Sequence, residues 1–111
     1  MARRATAIHV VEKGANNELR TCFKNDDGIW ETAFWIVGKD TAEALLDGGK
    51  IYVHRSQKMN SYVGGEITDI IPQPDKPRRK CVIRFRESAD CKDVEPGTTG
   101  WGNERRIVWK S

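Results

Sequence analysis

The stretch GGKIYVHRSQKMNSYVGGEITDII, residues 48–71, decides the fold, because it reads as two strands held apart by a polar and basic loop. Ile51 and Val53 alternate with Tyr52 and His54, the period-two pattern of a half-buried strand. The loop opens with Arg55, Ser56, Gln57 and Lys58, and a second strand follows over residues 62–71. Gly64 and Gly65 lie inside that second strand, where the lack of β-carbons indicates a bulge or the close approach of a ligand or another backbone. The loop between the two strands is therefore the first candidate site.

Working towards the N-terminus, residues 39–49 (KDTAEALLDGG) carry the one clear helix signal. Asp40 is placed to cap, Glu43 stands three residues on, Ala42, Leu45 and Leu46 share a face, and Gly48 ends the turn. Such a helix, about two turns long, serves as a plug at a barrel mouth or as a cover for a sheet edge. Residues 29–37 read as a long central strand, with Trp30, Phe34 and Ile36 on one face and Ala33, Trp35 and Val37 on the other. Residues 6–11 and 19–24 read as a hairpin closed by the GANN turn at 14–17.

Towards the C-terminus, Pro72, Pro74 and Pro77 impose an extended loop. Residues 81–86 resume alternation, with Cys81, Ile83 and Phe85 inward and Val82, Arg84 and Arg86 outward. A glycine-rich loop with Pro96, Gly97, Gly100 and Gly102 surrounds Trp101, and residues 106–109 form a last strand. Seven short strands and one short helix make a mainly β (α+β) chain, expected to be one domain over residues 1–111 built as a small closed or partly open β-barrel.

Charge is uneven although the net value is only +3. Residues 76–86 hold Lys76, Arg78, Arg79, Lys80, Arg84 and Arg86 with no acid, and Glu87, Asp90, Asp93 and Glu95 follow, so one edge is expected to be basic. The start of the chain lacks the apolar region of a secretory signal and no run approaches the length of a membrane span, which makes a cytoplasmic location and no membrane partner the expectation. The cysteines Cys22, Cys81 and Cys91 fit a reducing compartment. With His9 and His54 they show no C-x-x-C or H-x-x-x-H spacing, so core thiols are expected and no metal. Phosphate-loop, dinucleotide, nucleophile-elbow and metalloprotease motifs are absent, and no cofactor is expected.

In order, AFWIV (33–37), a short helix, GGKIYVH, a polar loop, SYVGGEITDI (61–70), a proline loop and CVIRF (81–85) resemble the PUA-like superfamily of small barrels, most nearly its EVE and ASCH-type branches. The resemblance covers roughly residues 29–86, and the G-x-K-x-x-E-x-R signature of many ASCH domains is not among its motifs. It implies a module that reads a nucleobase, often a modified one, in DNA or RNA.

Independently of that likeness, a domain that holds an unstacked base needs rings against its π-face, hydrogen bonds to its edge and cations for the flanking phosphates. Candidate rings are Trp30, Trp35, Tyr52, Tyr62 and Trp101, with His54 and Gly64 beside them. Candidate edge readers are Ser56, Gln57, Asn60 and Ser61, and candidate cations are Arg55, Lys58, Arg78, Arg79, Arg84 and Arg86. The plain structural reading stands next to each: Trp30 and Trp35 as core, the outward arginines as a solvated edge that blocks aggregation, His54 as a hydrogen-bonded structural residue. Trp101, between glycines in a hydrophilic loop, has the least reason to be core. Three functions are expected in turn: a non-enzymatic nucleic-acid binder, a protein-interaction or inhibitory module with a basic face, and an ASCH-like hydrolase or nuclease using His54 and Glu66.

Overall fold

Among the described residues, period-two alternation assembles one eight-stranded sheet. The computed structural model describes residues 4–11, 22–24, 29–75, 80–98, 100–102 and 105–110. Its strands are β1 Arg4–Val11, β2 Cys22–Lys24, β3 Ile29–Ile36, β4 Lys50–His54, β5 Val63–Pro72, β6 Lys80–Glu87, β7 Trp101–Gly102 and β8 Arg105–Lys110, with the helix α1 at Lys39–Leu45 between β3 and β4. Adjacent strands run antiparallel except β1 and β4, which pair in parallel with His9 beside Tyr52 and Val11 beside His54. The mainly β expectation holds. Among the described residues the sheet is not closed: its order, β2-β3-β6-β5-β4-β1-β8-β7, is linear, so of the closed and partly open forms expected the closed one is not realised.

Four further expectations need correction. Among the described residues β2 pairs with β3 and not with β1, so Cys22–Lys24 does not form the expected hairpin with residues 6–11; the turn at 14–17 lies outside the described residues. An eighth strand, the two-residue β7, forms inside the glycine-rich loop and pairs Trp101 with Arg106. Gly38, not Asp40, occupies the N-cap of α1; Asp40 lies in its first turn, where a carboxylate still complements the helix dipole. Leu45 is fully buried under the sheet while Leu46 turns outward and is 44% exposed. Gly48 does close the helix, with φ of 82°.

One face of the sheet carries the apolar core, made by Ile8 and Val10 of β1, Ile51 and Val53 of β4, Val63 and Ile67 of β5, and Cys81, Ile83 and Phe85 of β6. Trp35 and Leu45 close it. The alternation read for 81–86 is thus right about its inner set, although Val82 is buried as well. In β3 a register shift between Thr32 and Trp35 puts Trp30 opposite Phe85 and Trp35 opposite Cys81. The bulge returns both indoles to the core side, against the expectation that they point apart. Trp30 stacks on Phe85 and Trp35 donates its Nε1–H to Thr32 Oγ1 at 3.1 Å.

The opposite face at β4 and β5 is covered by residues 88–98, which reach Arg106 of β8 at Gly97. A 3-10 turn, Ala89–Cys91, leads this cover, and Ser61 fixes it by donating its hydroxyl to the Cys91 carbonyl at 2.7 Å and accepting from the Val94 amide at 2.9 Å. Gly64 permits the contact, since a β-carbon there would stand 2.8 Å from Cys91 Cβ. Of the two sequence readings for this glycine pair, close approach of another backbone is the one realised. Gly64→Ala should therefore lower stability by about 1–3 kcal/mol, whereas Gly102→Ala, where a β-carbon meets nothing within 4 Å, should be nearly neutral. Thermal unfolding followed by circular dichroism checks the pair.

Candidate functional site

Cross-strand partners on one side of a sheet point the same way, so the register lays Trp101 of β7, Arg106 of β8, His9 of β1 and Tyr52 of β4 in one row beneath the cover. The imidazole of His9 stacks on Tyr52 with centroids 4.6 Å apart and on His54 at 5.0 Å. Trp101 meets both imidazoles edge-on, at 6.3 Å from His9 and 6.1 Å from His54. Its Nε1–H donates to the Gly97 carbonyl at 3.1 Å. Gly97 has φ of 76°, and a β-carbon there would lie 2.8 Å from the guanidinium carbon of Arg106. The cover thereby wraps the arginine.

The two histidines are joined: His9 Nδ1 lies 2.8 Å from His54 Nε2, and His54 Nδ1 lies 2.8 Å from the carbonyl oxygen of Met59. A carbonyl only accepts, so His54 Nδ1 holds a proton and, in the neutral ring, its Nε2 is a lone pair. His9 Nδ1–H must then be the donor to His54. Both rings are buried, and burial is the main cause that lowers both pKa values. His9 is brought down to about 4, with the neighbouring His54 and then Arg106 adding to the shift. His54 is lowered too, although its bond to the Met59 carbonyl works in the opposite direction. The pair is neutral at pH 7.

The sequence candidates separate into distinct places. Tyr52, His54 and Trp101 do converge, and His9, which is not among the candidate rings, links them. Trp30 and Trp35 belong to the core side. Tyr62 packs against the apolar core and carries the Arg55 guanidinium 4.7 Å above its ring, so it does not share the Trp101 cluster. Ser56 accepts from the Lys58 amide at 3.2 Å, and Gln57, Lys58, Met59 and Asn60 are exposed in the same turn. Ser61 is spent on holding the cover. Arg84 pairs with Glu31 at 3.3 Å and stands opposite Asp69, while Arg86 stands opposite Glu66. Acids therefore interrupt the basic strand. Glu66 also faces Lys50, and since both nitrogens of His54 are engaged elsewhere, no His54–Glu66 acid–base pair forms in this arrangement. Arg78 and Arg79 lie outside the described residues.

A separate cavity of about 560 Å³ lies between α1 and the ends of β5 and β6, walled by Val37, Ala42, Leu46, Ile70, Pro72 and Cys81. None of the candidate rings lines it. Among the described residues no group of three or more His, Cys, Asp or Glu is placed to hold a metal ion, and no helix is long and apolar enough to cross a membrane. Comparison with models of protein families, with curated proteins and with solved structures finds no match.

The neutral pair has a consequence for stability. Unfolded histidines bind protons near pH 6.5, whereas His9 in the fold does so only near 4. Between these values the unfolded chain holds more protons, so stability is complete above pH 6.5 and falls as the pH drops towards 4. The His9 share of that loss is on the order of 3 kcal/mol. Urea midpoints measured from pH 7.5 to 4 should show the decline, and His9→Leu, less stable at pH 7, should show a shallower one.

Proposed function

We propose that the chain is a nucleic-acid-binding module that meets its ligand with the turn over residues 55–60. The observation that carries this reading is the Arg55 guanidinium standing over the Tyr62 ring, 4.7 Å from its centroid, at the start of an exposed turn that also presents Lys58, Ser56, Gln57 and Asn60. A guanidinium over a ring face is held in place by cation–π attraction, while N–H groups of its planar fork stay available to a phosphate or a base edge. Lys58 adds a second cation two residues beyond Gln57's neighbour Ser56, and the amide and hydroxyl groups between them supply hydrogen bonds. The likeness of residues 29–86 to PUA-like barrels supports the same reading, and a modified or extruded base in DNA or RNA is the ligand that likeness suggests.

The contact is expected to be electrostatic and local. For a single strand, two phosphate contacts weaken binding about sevenfold when salt rises fourfold. Fluorescence anisotropy with labelled single-stranded and duplex oligonucleotides at 50 and 200 mM salt should show that dependence. The double change Arg55→Ala, Lys58→Ala should abolish it, while Arg84→Ala, whose arginine is already paired with Glu31, should change it little. Absence of binding at low salt would overturn the reading.

A further inference from the structure

We infer that the binding turn is positioned from beneath by the first strand: His9 donates to His54, His54 donates to the Met59 carbonyl, and His9 is thereby a positioning residue for residues 55–60. The functional consequence rests on the nucleic-acid reading; the geometry does not.

The end of the turn is held by backbone bonds of 2.9 Å, from the Tyr62 amide to the Val53 carbonyl and from the Ser61 amide to the Val94 carbonyl. The turn's internal bonds are long, 3.4 Å from the Met59 amide to the Ser56 carbonyl and 3.2 Å from the Lys58 amide to Ser56 Oγ, and they are exposed to competition from water. Asn60 reaches the Asp93 carbonyl at 3.3 Å. By contrast, the bond from His54 to Met59 is 2.8 Å and starts from a ring with no exposed surface. A short hydrogen bond shielded from solvent outlasts a long one in water. The Met59 carbonyl is thus a solvent-shielded anchor inside the turn, and it is only as fixed as the ring that makes it.

His54 is fixed because its other nitrogen is taken. Without the His9 donor, Nε2 of His54 would be a buried acceptor with no partner, at a cost of about 1–3 kcal/mol, and the ring would gain by turning away from Met59. The chain also has a polarity. It runs from β1 to the turn only in the tautomers assigned above, with Nδ1–H on both rings. A single added proton is tolerated if His9 moves its remaining hydrogen to Nε2 and accepts from His54; a second would set two donors face to face. Tyr52 of β4, Trp101 of β7 and Arg106 of β8 surround the pair, and none is an acid that would favour a second proton.

Long-range proton–nitrogen correlation spectra of ¹⁵N-labelled protein at pH 7 test the chain directly. Both histidines should appear as Nδ1–H tautomers. Order parameters for the amides of residues 56–60, near 0.85 if the turn is rigid, should fall below about 0.6 in His9→Leu. They should stay high in His9→Asn, whose side-chain amide can donate from about the place of Nδ1, while the amides of β5 and β6 keep their values in both variants. Oligonucleotide affinity should drop about tenfold in His9→Leu and recover in His9→Asn. An Nε2–H tautomer at His54, or an unchanged turn in His9→Leu, would overturn the inference. If His9→Leu does not fold, the wild-type tautomers and the His9→Asn order parameters decide. Lack of oligonucleotide binding by the wild type sinks the proposed function alone, since tautomer and order parameter still judge the chain.

Discussion

The parallel register of β1 on β4 is the constraint from which the rest of this structure follows. By setting His9 beside Tyr52 and Val11 beside His54 it places two imidazoles on one side of the sheet at hydrogen-bonding distance. A shift of one residue would turn His9 to the apolar side and expose Ile8 or Val10 in its place. Burial of Ile8, Val10, Ile51 and Val53 therefore fixes the imidazole pair as well. Core packing and the polar chain are two faces of one register.

The second face depends on a cover rather than on a second sheet. Ser61, Gly64 and Gly97 are where that cover touches the strands: one by paired hydrogen bonds, the other two by having no side chain to obstruct it. What it encloses is a small polar and aromatic core, in which His9 bonds to His54, His54 to the Met59 carbonyl and Trp101 to the Gly97 carbonyl. Buried polar groups are tolerated where their partners are supplied, and each described bond here has an identified acceptor. The arrangement keeps both rings neutral and oriented, which lets a buried pair govern a surface turn.

Much of this architecture is legible in the residues. The alternation over 51–54 and 81–86 marks β4 and β6 with their inner sets, and the signals around Gly48 locate the end of α1. Pairing between distant strands is not legible in the same way, because a period of two says which side a residue faces and not which strand lies next to it. His9 and His54 are 45 positions apart and form no spacing motif. The available sign was that each interrupts an apolar strand on the side away from its core residues. The bulge after Thr32 escaped for another reason: nothing in ETAFW marks an extra residue, yet it decides that Trp30 and Trp35 share a side. In the candidate site, Tyr52, His54 and Trp101 were recognisable as types of residue. Their meeting point was hidden, because the cover that brings Trp101 to the imidazoles is a loop with no period at all.

The position of β1 between β4 and β8 also bears on how the chain reaches its fold. Its two neighbours come from far along the polypeptide, as the His9–His54 separation of 45 residues and the Thr6–Val108 separation of 102 show. Ordering so long a loop costs entropy before any contact repays it, and topologies dominated by remote pairing fold on the slow side, in milliseconds to seconds. During synthesis β1 must wait until β8 has emerged from the ribosome before both of its edges are occupied. For that interval it is an apolar ribbon with an open flank, and the two histidines, still in water, remain free to titrate.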